Sequence, residues 1–257
     1  MPEGDTVFRT ARRLDEALAG AEITRFELRV PQLATADLRG ETVHAVVPRG
    51  KHLLHRIGTW TLHSHLKMEG EWRVLRPGER WPKPAFSARA IVGTRERETV
   101  GFDLAQLALV PTSDEGSLVG HLGPDPLAED WDPVEAARRV QADTRSAHVA
   151  LLDQRNVAGF GNEYANEILF VRGILPTTPS NETDATATIE LGARMLRANR
   201  DRRDRTFTGD ARAGRTTWVY RRDGRPCRRC GTPIRRGDVG AAPTQERIVF
   251  WCPECQR

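Results

Sequence analysis

The chain has 257 residues, 39 basic and 35 acidic side chains, a formal net charge of +4 and a pI near 9.2; that length suits one large domain or two smaller ones with separate cores, and the charge suits a polyanionic partner without proving one. No apolar run reaches the length of a membrane span and charges run through the first twenty residues, so neither membrane insertion nor a signal peptide is expected, and a soluble cytoplasmic protein is. Only three basic residues are lysines (Lys51, Lys67 and Lys83), so the arginine excess says little about nucleic acid, while each lysine is a candidate for a task arginine cannot perform, such as proton transfer.

The chain opens Met1-Pro2-Glu3-Gly4-Asp5. Methionine before proline is readily removed, which leaves Pro2 with a secondary α-amine. Such an amine has a pKa of about 7.7–8.0, against about 10.4 for lysine, so part of it is unprotonated near neutrality. It can attack an electrophilic carbon. With an aldehyde-like carbon it forms an iminium ion that has no N–H proton to lose, and Glu3 beside it can give or take a proton. Alone, these residues also describe an ordinary helix start.

Residues 5–19 predict an amphipathic helix, with Val7, Ala11, Leu14 and Leu18 on one face and Gly20 as its stop. Short runs over 41–47 and 51–57, separated by Gly and Pro, and alternation over 60–66 and 71–75 predict an antiparallel β-sandwich or barrel from about 22 to 125. Residues 76–88, rich in Pro, Arg and Trp, read as a loop. Leu122 to Asp132 reads as a linker into a helical half, with Asp132 capping a helix whose first residue is Pro133. Helices are expected over 133–142, 146–153, 161–171 and 182–199. The charged stretch 200–216 reads as a mobile loop. The organisation is therefore α+β multidomain: residues 1–125, 126–216 and 217–257.

Two segments carry chemistry. Cys227-x-x-Cys230 and Cys252-x-x-Cys255 are two knuckles with 21 residues between them. Four thiolates satisfy tetrahedral zinc with no open position, so one structural zinc ion in a zinc ribbon is expected. In Leu151 to Glu167, a helix end, the turn Gly159-Phe160-Gly161 and a new helix near Asn162 would aim backbone N–H groups outward, a phosphate-binding geometry. A plain helix–turn–helix packing joint is the alternative. His44, His52, His55, His63 and His65 lie close in sequence, and His63 and His65 could face one way on a strand.

Taken together, the chain resembles the bacterial formamidopyrimidine-DNA glycosylase and endonuclease VIII family of base-excision repair. The resemblance rests on Pro2-Glu3-Gly4, Arg49-Gly50-Lys51-His52-Leu53-Leu54, His65-Leu66-Lys67-Met68, Leu122-Gly-Pro-Asp-Pro-Leu127, Leu151 to Pro176, Val219-Tyr220, Pro226 to Ile234 and Arg247 to Gln256. It implies an N-terminal antiparallel β-sandwich with a leading helix, a helical helix–two-turns–helix domain and a four-cysteine zinc ribbon. It implies a monomeric DNA glycosylase and abasic-site lyase, associated with the bacterial nucleoid, that acts on duplex DNA containing oxidised bases or abasic sites. The target base is flipped out of the duplex, Pro2 attacks C1′ of its sugar, Glu3 protonates the ring oxygen, and β,δ-elimination leaves a gap.

By the same resemblance Lys51 contacts phosphate and assists proton transfer, Asn162 and Arg247 bind phosphates, Glu167 lies near the site, and Met68 wedges into the space left by the flipped base. An unbranched, polarisable side chain suits that irregular gap, although a core methionine is the alternative. Asp5 and Thr6 depart from the Pro-Glu pair many members carry, and Gly101 to Gln106 lacks the usual further void-filling residues. No second metal is implied. The short 200–216 stretch favours the endonuclease VIII side and oxidised pyrimidines. A glycosylase preferring oxidised purines, a catalytically poor damage-binding protein of the same fold, and a general zinc-ribbon nucleic-acid protein are the competing readings.

Overall fold

The computed structural model describes every residue except Met1 and Pro243. Two compact units emerge, one reaching to His121 and the other spanning Leu122–Arg257.

In the first unit, helix α1 (Gly4–Leu18) leads into strands β1 (Arg25–Leu28), β2 (Val43–Arg49), β3 (His52–Ile57), β4 (Trp60–His65), β5 (Glu71–Leu75), β6 (Ala88–Gly93), β7 (Glu98–Phe102) and β8 (Gln106–Pro111). These form two antiparallel sheets, ordered β1-β6-β7-β5 and β2-β3-β4-β8. Their inner faces share one core with α1: Val7, Ala11, Leu14 and Leu18 pack with Phe26, Val46, Leu53, Leu62, Trp72 and Val92. Burying each Val or Leu side chain of that helix stripe stabilises the fold by about 1.5–3 kcal/mol. Asp15, on the same helix, accepts the Val46 N–H at 2.7 Å and so joins α1 to β2.

The loop at 76–88 is tied down rather than loose. Trp81 packs edge-on against Phe102, donates its indole N–H to Glu98 at 3.0 Å and lies under the Arg25 and Arg29 guanidiniums. A short helix α2 (Gly116–Val119) follows β8, and Glu115 before it accepts two hydrogen bonds from Arg56, at 3.0 and 2.7 Å.

The second unit holds helices α3 (Pro133–Ala142), α4 (Ala147–Leu152), α5 (Asn162–Arg172) and α6 (Ala185–Arg200), then the hairpin β9 (Arg235–Val239) and β10 (Arg247–Trp251). The caps follow the sequence: Asp132 accepts the Glu135 N–H, Pro133 occupies the first turn, Asp184 accepts the Ala187 N–H, and Gly173, left-handed at φ 74, ends α5. Val157, Phe160, Tyr164, Ile168, Ile189 and Leu196 make its main core. A second cluster joins Phe170 of α5 to Val219, Ile234, Phe250 and Cys252, so the cysteine module is anchored on α5.

Two expectations change. The Leu122–Asp132 stretch is packed, not a free linker: Gly123 N–H donates to Gln154, the Pro124 carbonyl accepts from Ala158, and Asp125 is buried. The 200–216 segment is likewise knitted in. Thr206 donates its N–H to the Asn199 side chain at 2.9 Å, Phe207 packs on the helical core, and Arg205 pairs with Glu163 at 2.6 Å while lying over the Tyr164 ring.

Candidate functional site

The candidate residues divide between the units. In the first, Pro2 is half-buried in the extended segment before α1, and Glu3, at φ −122 and ψ −176, is fully buried. The Glu3 carbonyl accepts the N–H groups of Thr6 and Val7 at 2.9 and 3.0 Å, while its carboxyl takes no part in capping. The Glu3 backbone thus starts the helix. Asp5 is also buried and pairs with Arg9 at 3.5 Å. Met1, whose removal would expose the Pro2 amine, lies outside the described residues.

Lys51 sits at the tip of the β2–β3 hairpin, where Arg49 pairs with His52 and two residues make the turn. Gly50 adopts φ 57 there, a value that suits glycine in so tight a turn. Burial first, and then the charges of Lys67 and Lys51, push the His65 imidazole down to about 4. Lys83 does not fit the idea of a transferable proton. It pairs with Asp103 at 2.8 Å and Glu71 at 3.2 Å, a structural role.

Met68 is 61% exposed, which rules out the core reading. The turn that presents it is specified locally. Lys67 is left-handed at φ 53 and donates its N–H to His65 Nδ1 at 2.9 Å, and Gly70 N–H closes onto the Leu66 carbonyl at 2.9 Å. A Cβ on Gly70 would lie 2.5 Å from that carbonyl, so the turn tolerates no side chain there. Among the described residues, Gly101 to Gln106 offers no exposed large apolar side chain, and Leu104 is in the core.

His52, His63 and His65 do share a region of the second sheet. His52 Nδ1 and His63 Nε2 are 2.7 Å apart, and the His52 ring lies 5.0 Å from both others. Burial, first among the causes, lowers all three pKa values and favours neutral imidazoles. Among the described residues, the four cysteines are the one group of three or more His, Cys, Asp or Glu side chains placed to hold a metal.

In the second unit α5 carries three buried polar residues, Asn162, Asn166 and Glu167. Asn162 Nδ2 donates to the Ile248 carbonyl at 2.9 Å, and Asn166 Oδ1 accepts the Phe250 N–H at 2.6 Å, so the helix fixes β10 at two points. That sets the start of the strand, where Arg247 is exposed. Asn162 Oδ1 faces His148 Nε2 at 2.8 Å. Burial, with help from the nearby Arg247 charge, pushes His148 down to about 4.

Glu167 accepts the backbone N–H groups of Trp218, Val219 and Tyr220 at 2.7, 2.9 and 2.8 Å. Burial pushes its carboxyl up to about 7, against the pull of those three donors. It holds the entry to the cysteine module. There, Cys227 and Cys255 sulfurs are 4.0 Å apart and Cys230 and Cys252 sulfurs 3.4 Å apart, with all four within 4.8 Å of one another. Tetrahedral thiolates at a metal–sulfur distance of about 2.3 Å stand about 3.8 Å apart, so the four can bind one metal ion. From Thr217 to the end, nine arginines oppose four carboxylates.

Residues 122–195 match the family model described as "Formamidopyrimidine-DNA glycosylase H2TH domain". The chain is 49% identical to the "Probable endonuclease 8 2" of Streptomyces coelicolor, covering all of this chain and 94% of that protein. It belongs to the formamidopyrimidine-DNA glycosylase and endonuclease VIII family. It is also 46% identical to the "DNA-(apurinic or apyrimidinic site) lyase Nei2" of Mycolicibacterium smegmatis, over all of this chain and 99% of that one. The solved complex of the Lactococcus lactis Fpg protein with DNA containing an abasic site is 25% identical, with a TM-score of 0.79 and full coverage of both chains.

The candidate side chains lie in both units. Sequence reasoning missed three residues that shape them. Gln154 ties the turn before α5, donating to the Leu152 and Phe160 carbonyls at 2.8 and 2.9 Å and accepting the Gly159 N–H at 3.0 Å. Asn166 was readable as the i+4 neighbour of Asn162 on a helix face. His148 gave no signal beyond being a polar residue inside Ser146-Ala-His-Val-Ala-Leu-Leu152.

Proposed function

We propose that this chain is a bifunctional DNA glycosylase and abasic-site lyase whose nucleophile is the Pro2 amine. Full-length kinship to a protein named as an abasic-site lyase carries the reading, and the Pro2–Glu3 start supplies the chemistry. Pro2 nitrogen attacks C1′ of the flipped nucleotide and the glycosidic bond breaks, releasing the base. Glu3 gives a proton to the ring oxygen, the C1′–O4′ bond opens, and an iminium ion forms. The iminium acidifies C2′; loss of that proton expels the 3′ phosphate, and proton loss from C4′ then expels the 5′ phosphate. Hydrolysis frees Pro2.

Lys51, on its hairpin tip, moves protons and meets phosphate. Asn162 and Arg247 bind phosphates from the α5 start and the hairpin; a guanidinium can do so through two bonds. Met68, exposed on a stiff turn, fills the vacated stack. Glu167 supports the site indirectly by holding residues 218–220. Zinc is the metal for the four cysteines, and its contribution is structural: it makes a small basic module fold. The protein works as a monomer at the nucleoid.

Oxidised pyrimidines are the preferred lesions, a reading supported by the short, internally bonded 200–216 segment. Duplexes carrying thymine glycol or 8-oxoguanine test it: faster excision of thymine glycol is expected, and faster excision of 8-oxoguanine would move the protein to the purine side. Formation of a borohydride-trapped adduct on abasic DNA tests the lyase chemistry itself.

A further inference from the structure

We infer that His148 is the positioning residue for Asn162, its Nε2–H holding the carboxamide oxygen so that the amide nitrogen keeps a hydrogen for a DNA phosphate; this rests on the phosphate reading of Asn162. The carboxamide is fully oriented by its surroundings. Its oxygen faces two donors, His148 Nε2 at 2.8 Å and Asn166 Nδ2 at 3.2 Å, while its nitrogen gives one hydrogen to the Ile248 carbonyl at 2.9 Å. A flipped amide would set nitrogen against the Asn166 donor and oxygen against the Ile248 carbonyl, two repulsive contacts. In the observed orientation one Nδ2 hydrogen remains, and Asn162 keeps 9% of its surface exposed.

His148 itself is fully buried on α4. Since its Nε2 meets an acceptor, a neutral ring carries its proton there, and Nδ1 is left as a buried lone pair without a partner among the described residues. Such an orphan acceptor costs about 1–3 kcal/mol. An apolar side chain would fill the same space without it. The imidazole therefore does something that packing alone does not need, and its one hydrogen bond among the described residues is with Asn162. Burial and the nearby Arg247 charge keep the ring neutral, so the Nε2–H tautomer persists across the physiological range.

The test is binding of the full-length protein to a duplex with one tetrahydrofuran abasic analogue, across a salt series. The variants are His148→Met, His148→Gln, Asn162→Ala and the His148→Met/Asn162→Ala pair. Met and Gln have similar shape, but only Gln can donate. His148→Met and Asn162→Ala should each weaken binding about 10-fold and lower the salt slope by about one phosphate, the double variant should bind like Asn162→Ala alone, and His148→Gln should stay within about 3-fold of wild type. If Asn162→Ala binds as wild type, the phosphate reading of Asn162 fails. If Asn162→Ala is weak but His148→Met binds as wild type, if the two losses multiply, or if His148→Gln is as weak as His148→Met, the role of His148 alone is overturned.

Discussion

The two units present their candidate side chains in different ways. In the first, Lys51 and Met68 stand on turns whose shape comes from the backbone: Gly50 at φ 57, Lys67 at φ 53, and Gly70 closing onto Leu66. The Met68 side chain, 61% exposed, contributes little to the fold. In the second, Asn162, Asn166 and Glu167 are buried, and each holds another part of the chain in place. Substitution of the exposed Met68 should therefore read function cleanly, whereas substitutions at buried positions, Glu3 included, mix function with stability.

The largest effect expected is on the chemistry of the first unit. Glu3→Gln should lower strand cleavage at an abasic site by about 10²–10⁴-fold, the usual worth of a general acid. Cleavage kinetics under single-turnover conditions check this, and a loss below about 10-fold would remove Glu3 from the proton transfers. Next is metal removal. Stripping zinc with a strong chelator should unfold the cysteine module and reduce DNA affinity by about 100-fold, while the first unit keeps its β-sheet circular dichroism. Metal analysis should find one zinc per chain before treatment and none after.

The third is Glu167→Gln. An amide offers one acceptor oxygen where two carboxylate oxygens now serve three N–H groups, and its NH2 would face a donor. We expect a loss of about 2–4 kcal/mol in stability, measured by denaturant unfolding, with the N-terminal unit unaffected. The wild-type carboxyl adds a pH signature. Its pKa rises from 4.5 toward about 7 on folding, so the folded state binds more protons between those values. That contribution is fully present below about 4.5 and fades as pH rises through about 7, by up to about 3 kcal/mol. The stability difference between wild type and Glu167→Gln should shrink over that window.

The smallest is Met68→Ala. Base excision from duplex DNA should fall about 10-fold, since the wedge no longer offsets the few kcal/mol of unstacking, with no change in melting temperature. A matching fall in melting temperature would mean that Met68 contributes to the fold after all.

Legibility in the sequence follows the same divide. Helix α1 could be read from its apolar stripe and Gly20, and α3 from Asp132 and Pro133 at its start; the Asp184 cap of α6 and the left-handed Gly173 after α5 were not used. Strand β7 is buried along its whole length and shows no alternation, so it could be placed only within a general β region. The charged 200–216 segment looked mobile because its ties, Thr206 to Asn199 and Arg205 to Glu163, depend on partners seven and 42 residues away. The cysteine spacing announced its own site. The Asn162 partnership with Ile248 spans 86 residues and has no sequence signature, so the reason for His148 appears only in three dimensions.

The most direct test of the central claim uses a duplex with one abasic site, sodium borohydride, and the protein with and without its initiator methionine. A covalent protein–DNA adduct from the processed chain, absent when Met1 is retained and weakened by Pro2→Gly, is the result expected of a Pro2 iminium intermediate. Binding without any adduct from the processed chain, or an adduct that survives with Met1 in place, would contradict it.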